Sequence, residues 1–268
     1  MSLKFAANLS FLYQDIPFLD RITAAAKDGF EGVECMYPYA VPAEEIKQRL
    51  VDNNIEQALF NAPPGDWDGG ERGIASLPGR EAEFKEAITL AIEYAHVLGN
   101  RRLHVMAGLL PENANRAEYL DRYVRNVAWA AEQARSIDLT IVLEPINQRA
   151  MPGYLLSYQR DALDVIRATG ADNVKVQFDC YHTQIMEGDI VTKLRDQFDQ
   201  IDHIQIASVP NRHEPDGEEL NYPFIFRTLE QLGYQGWIGC EYKPRADTSA
   251  GLQWLQAYRA HAKTGSLR

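Results

Sequence analysis

Four side chains that offer oxygen donors occupy matching places in the chain: Glu144, Asp179, Gln205 and Glu241. Each lies late in a short run rich in Val, Ile, Leu or Phe. The clearest case is 174–182, VKVQFDCYH. Val174, Val176 and Phe178 share one face and Lys175, Gln177 and Asp179 the other, the period of two expected of a strand. A carboxylate at a strand end can cap a following helix, or it can serve a metal or a reacting substrate. None of the four is Cys or His, so together they suit a hard cation such as Mg2+ or Mn2+ better than a structural zinc. Three carboxylates brought together repel one another, and a divalent cation removes that penalty while keeping them ionised. Taken singly, each of the four also reads as a strand-end cap or a surface ion pair.

These groups can meet only if their strands end at one place. Strands are expected over 4–8, 32–36, 55–61, 102–107, 139–144, 174–179, 203–208 and 237–241, from alternation or short apolar runs. Helices are expected between them, over 15–28, 42–53, 81–98, 116–136, 161–169, 191–198 and 223–232, with a closing helix over 249–263. Gly29 stands at a helix stop and Pro42 at a helix start. Eight strands alternating with eight helices fit a single (β/α)8 TIM barrel of about 250 residues, here one domain over 1–268. An open doubly wound sheet shares the same alternation. Closure is favoured by the count and by parity. Ile141 and Leu143 oppose Val142 and Glu144; Ile204 and Ile206 oppose His203 and Gln205; Ile238 and Cys240 oppose Trp237, Gly239 and Glu241. The first set then faces the helices and the second the barrel axis, where Asn8, Glu34 and His104 join it. Catalytic groups of such barrels sit at the C-terminal strand ends.

The segments EPIN at 144–147, QFDCYH at 177–182, HIQIASVPNRHEPD at 203–216, ELNYPFIF at 219–226, EYKP at 241–244 and GDWDGGERGIASLPGR at 65–80 together resemble the hydroxypyruvate isomerase family. That family includes the 2-oxo-tetronate isomerases and belongs to the xylose-isomerase-like barrels. The resemblance spans essentially the whole chain. It implies one divalent ion held by Glu144, Asp179, Gln205 and Glu241, with Glu144 and Glu241 as the acid/base pair. It also implies a proton moved between adjacent carbons of hydroxypyruvate, or of its four-carbon relative, through an enediolate. Related ketose epimerases carry a histidine where Gln205 stands, and that departure favours small oxo-acids over neutral sugars. An epimerase or dehydratase of a related sugar acid, and a non-catalytic sugar-acid-binding barrel, stay open as alternatives.

An anionic substrate needs cations or donors. Arg212 is the first candidate, because a guanidinium can bind a carboxylate through two parallel bonds; a loop ion pair with Glu214 or Asp216 is its alternative role. His182, Lys243 and His104 follow as substrate contacts. Glu34 reads more simply as a buried partner of an Arg or Lys. Residues 62–80 form the longest irregular stretch, and loops of that length inside a compact domain are usually functional. Trp67, Glu71 and Arg72 in it are expected to form a lid that excludes water.

Composition narrows the classes further. The formal charge of −11 and six histidines speak against a nucleic-acid surface, which needs a basic stripe, and against a histidine-rich nuclease site. No apolar run reaches the roughly 18 residues of a membrane span, and no signal peptide is evident. Three scattered cysteines make no disulfide framework, which fits a cytoplasmic location. A homo-oligomer is compatible with the sequence, although no stripe singles out an interface.

Overall fold

The structure is a computed structural model; it describes residues 2–264, with side chains to residue 260. Eight strands are present: β1 (Lys4–Asn8), β2 (Gly32–Cys35), β3 (Glu56–Asn61), β4 (Arg102–His104), β5 (Thr140–Leu143), β6 (Val174–Asp179), β7 (Ile201–Ile206) and β8 (Trp237–Cys240). They form a closed barrel in sequence order. The ring is shut by the parallel pairing of β1 with β8, from Lys4 opposite Trp237 to Ala7 opposite Cys240. The helices are α1 (Phe18–Lys27), α2 (Ala43–Asp52), α3 (Glu81–Leu98), α4 (Arg116–Ala134), α5 (Gln159–Thr169), α6 (Cys180–Met186), α7 (Ile190–Asp196), α8 (Tyr222–Leu232) and α9 (Gln253–Thr264).

Parity along the strands divides the core as expected. Ile141, Leu143, Ile204, Ile206, Ile238 and Cys240 belong to the large apolar layer between strands and helices. Ala6, Ala58 and Trp237 form a separate small cluster. A Cβ at Gly32 would strike the Trp237 ring, so the ring fills the lower barrel only because small residues surround it. Above this plug the inward side chains are polar: Asn8, Glu34, His104, Gln177, Asp179, His203 and Gln205 are all buried. Buried polar groups of this kind must bond one another or a ligand.

Several element ends differ from expectation, each for a local reason. β4 stops at His104 rather than at 107: the Ala107 N–H is taken by the Tyr154 hydroxyl, 2.9 Å away, and not by a neighbouring strand. β5 stops at Leu143, so Glu144 steps off the strand end. α1 begins at Phe18, after Pro17, whose carbonyl accepts from the Asp20 and Arg21 N–H groups. α6 is an additional short helix. It starts directly after Asp179, whose Oδ1 accepts the His182 N–H at 2.8 Å.

Candidate active site

Glu144, His182, Arg212 and Glu241 line one cleft of about 260 Å³ at the C-terminal strand ends, together with Phe11, Asn61, Trp67, Arg72, His104, Met106, Met151 and Gln177. That is smaller than the roughly 300–1,000 Å³ of pockets for drug-sized ligands, and suits a molecule of a few heavy atoms. A larger depression, about 540 Å³, lies at the other end of the barrel around Arg101, Arg102 and Arg135. Those arginines pair with Asp138, Asp202 and Asp172 respectively, so the charges there are matched, and among the described residues Asn173 Oδ1 is the buried acceptor of its lining without a partner.

Strand pairing sets the layers of the site. Asp179 lies opposite Gln205 and Asn8 opposite Glu34. Glu34 occupies the space above Gly239, where a Cβ would collide with its carboxylate; this is the close approach that requires glycine in β8. Glu34 Oε1 accepts from Asn8 Nδ2 at 2.9 Å and from Gln205 Nε2 at 2.8 Å. The same two amides donate to Glu241 Oε2, at 2.9 and 2.7 Å. His203 Nε2 donates to Glu34 Oε2 at 2.7 Å. The buried partner of Glu34 is therefore His203 and two amides, where an Arg or Lys was expected. Gln205 Oε1 accepts from Gln177 Nε2 at 2.7 Å, so Gln205 presents its nitrogen to Glu241 in this structure.

Arg212 completes the Glu241 end. Its Nη2 donates to Glu241 Oε1, and its guanidinium lies 4.9 Å from both the Phe11 and Tyr181 ring centroids. The Arg212 backbone has φ +58°, a conformation costly for a non-glycine residue and common at functional sites. Glu214 and Asp216, the alternative partners, pair instead with Arg245. Arg212 Nε is buried with no partner among the described residues, which leaves a donor for a bound anion.

Two carboxylate oxygens are in the same state. Glu144 Oε1 and Asp179 Oδ2 are buried without a hydrogen-bond partner among the described residues. Asp179 thus both caps α6 and keeps one oxygen free. Burial, then the charges of Glu241 and Asp179, push the Glu144 carboxyl well above its usual range. Burial raises Asp179 as well. Glu241 is pushed up to about 8 by burial, despite the opposing Arg212 charge. Carboxylates held this way gain most from a cation. Ligand atoms of Glu144, Asp179 and His182 lie within 4.8 Å of one another, a buried triad whose spacing could hold a metal ion.

The remaining expected contacts are placed unequally. His104 is buried beside the site, its Nδ1 3.6 Å from Glu144 Oε2; burial, then His203 and His182, lowers its pKa to about 3, so the ring is neutral. Lys243 is exposed and outside the cleft lining; its backbone N–H donates to the Arg212 carbonyl at 2.8 Å. In the loop after β3, Trp67 and Arg72 reach the cleft, with the Arg72 guanidinium 4.0 Å over the Trp67 ring. Glu71 turns away: it pairs with Arg80 at 2.6 Å and accepts the Asp66 N–H at 2.6 Å, so it braces the loop. Gly73, at φ +102°, lets the loop pass against Met106, whose carbonyl a Cβ would strike. Asn147, Gln177 and His203 join the site without having been expected as contacts, although parity already sets Gln177 on the face of Asp179 and His203 on the barrel axis.

Residues 22–258 match the family model described as xylose isomerase-like TIM barrel. The chain is 56% identical to a 2-oxo-tetronate isomerase of Cupriavidus necator over 255 residues, 95% of this chain and 98% of the relative. It is 43% identical to the hydroxypyruvate isomerase of Escherichia coli, over 96% of this chain and 100% of that protein. Among solved structures, a Brucella melitensis protein described as AP endonuclease, family 2, superposes with a TM-score of 0.93 at 44% identity, covering 96% and 99% of the two chains. Among the described residues, no helix is long and apolar enough to cross a membrane. The chain therefore belongs to the hydroxypyruvate isomerase family of xylose isomerase-like TIM barrels, and is an enzyme of the isomerase class.

Proposed function

We propose that the protein is a metal-dependent isomerase of small oxo- and hydroxy-carboxylic acids, taking hydroxypyruvate to tartronate semialdehyde or isomerising 2-oxo-tetronate. The observation that carries this reading is the pair of buried, unpartnered carboxylate oxygens, Glu144 Oε1 and Asp179 Oδ2, beside a small cleft whose Arg212 Nε–H is also unpartnered. The names of the relatives agree with it. Glu144, Asp179, Gln205 and Glu241 would hold one Mg2+ or Mn2+, Gln205 through an amide turned from its present orientation. Gln177 Oε1 is itself buried and unpartnered, so with the Gln177 amide turned as well it would accept from Gln205 Nε2. A bound cation supplies Lewis-acid polarisation of the substrate carbonyl and hydroxyl oxygens.

The chain's own groups do the rest. Arg212 holds the substrate carboxylate through its unengaged N–H groups while its Nη2 keeps Glu241 in place. One of Glu144 and Glu241 takes the proton from one carbon, and a carboxylate returns it to the next. In the metal-free protein burial raises both carboxyls, which favours the protonated form that each must pass through in that exchange. Trp67 and Arg72 cover the cleft and limit water, which protects an enediolate from stray protonation. A DNA-cleaving role is disfavoured by the charge of −11. The test is a coupled assay of hydroxypyruvate and 2-oxo-tetronate with metal-stripped protein and add-back of Mg2+ or Mn2+, with NMR of the products. Metal-dependent, mass-neutral conversion of either acid supports the assignment; loss of water, or binding without conversion, overturns it.

A further inference from the structure

The spacing of Glu144, Asp179 and His182 permits a cation to be shared by all three, yet the hydrogen bonds on the far side of the His182 ring argue against it. His182 Nδ1 faces two nitrogens of Asn147: the backbone N at 3.3 Å and the side-chain Nδ2 at 2.6 Å. The backbone N–H can only donate. The side-chain amide is oriented by a third bond, because Asn147 Oδ1 accepts the Ala150 N–H at 2.7 Å. Rotating that amide would set its NH2 against a backbone N–H and leave two donors facing each other. Both Asn147 groups therefore donate, and His182 Nδ1 must be the lone-pair nitrogen. The proton of the neutral ring then resides on Nε2, the nitrogen that points towards Glu144 Oε1 at 3.8 Å and Asp179 Oδ2 at 3.9 Å.

We propose that Asn147 is a positioning residue that fixes His182 in the Nε2–H tautomer, so that His182 donates into the cleft and is barred from ligating the cation. The cation site is then left with oxygen donors alone, which selects a hard ion over Zn2+. Asn147 is fully buried, and its carbonyl accepts the Met151 N–H at 3.0 Å, so the turn that carries it is itself held. Asn147→Asp reverses the shorter of the two contacts on Nδ1: a charged carboxylate accepts from His182 Nδ1–H and outweighs the longer backbone N–H contact at 3.3 Å, which moves the ring proton and frees the Nε2 lone pair to face Glu144 and Asp179. In naming a cation the inference rests on the proposed function, but the tautomer itself is readable in metal-free protein without any substrate.

The experiment is a long-range proton–nitrogen NMR spectrum of 15N-histidine-labelled, metal-free protein, with His182 assigned by comparison with His182→Gln. The Nε2–H pattern is expected for wild type and the Nδ1–H pattern for Asn147→Asp. Titration calorimetry should then show the Zn2+ affinity of Asn147→Asp raised at least about tenfold relative to Mg2+, the scale on which partners of ligand histidines act. An Nδ1–H pattern in wild type overturns the proposal, and that spectrum alone decides if the variant does not fold. Unchanged metal preference in a variant whose tautomer has switched also overturns it. Absence of turnover on both oxo-acids would refute the proposed reaction, whereas the ring tautomer is decided by the wild-type spectrum and not by turnover.

Discussion

Asp179→Asn separates two roles that one side chain performs. Asp179 Oδ1 caps α6 through the His182 N–H at 2.8 Å, while Oδ2 is buried and unpartnered. Asparagine keeps the capping oxygen and is as good a cap as aspartate, whereas alanine would lose about 1 kcal/mol. The substitution also removes a charge that burial disfavours and that raises the carboxyls of Glu144 and Glu241. Metal-free Asp179→Asn should therefore melt no lower than wild type. Its cation site, in contrast, loses a charged oxygen. Changes in groups that merely touch ligands cost about 10–100-fold in metal affinity, so loss of a ligand should cost more than about 100-fold. In wild type, Mn2+ at about 100 times its Kd adds about 2.7 kcal/mol to stability, and that gain should vanish in the variant. Calorimetric unfolding in chelator and in Mn2+, with Mn2+ titration, reads both quantities. A variant that binds Mn2+ as wild type does would reduce Asp179 to a helix cap, and one that melts several degrees lower without metal would contradict the removal of a burial-disfavoured charge; either result refutes the reasoning.

Other outcomes follow from the same geometry. Glu144→Gln and Glu241→Gln should each lower kcat by about 10²–10⁴-fold, the usual contribution of a general acid or base; near-normal turnover with metal bound would remove both from the proton transfer. Deleting residues 66–75 takes away Trp67 and Arg72, and should abolish turnover while the circular dichroism of the barrel persists; unaffected turnover would exclude a lid. Glu241 titrates near 8 in the folded protein against an ordinary value of 4.5, with Glu144 and Asp179 also raised. Below about 6.5 the buried His104 and His182, whose pKa values burial lowers, act in the opposite sense. From about 6.5 to about 8 only the carboxyls act, the folded state binds more protons than the unfolded one, and metal-free stability should fall as pH rises. A metal-free Tm that rises over this range would contradict the shifts.

Much of the fold was legible because parity along a strand is a strong physical constraint. A residue such as Ile204 that must face helices forces His203 and Gln205 to the axis. The same parity put Glu144, Asp179, Gln205 and Glu241 near one strand-end face. What was not legible depends on contacts between residues far apart in the chain. Tyr154 ends β4 by bonding Ala107, and nothing near residue 107 signals that. Glu34 finds His203 across the barrel, 169 positions away, and Lys243 faces solvent although two residues before it Glu241 faces the cleft. Asn147 acts through a ring nitrogen of His182, and EPIN by itself does not reveal which atom it meets.

Crystals grown from metal-stripped protein and soaked in Mn2+ can be read by anomalous diffraction at the manganese edge. A single strong peak bonded to oxygens of Glu144, Asp179, Gln205 and Glu241, with His182 Nε2 outside bonding distance, is the predicted result. No peak in the cleft at saturating Mn2+, or a peak ligated by His182 in place of those oxygens, would contradict it.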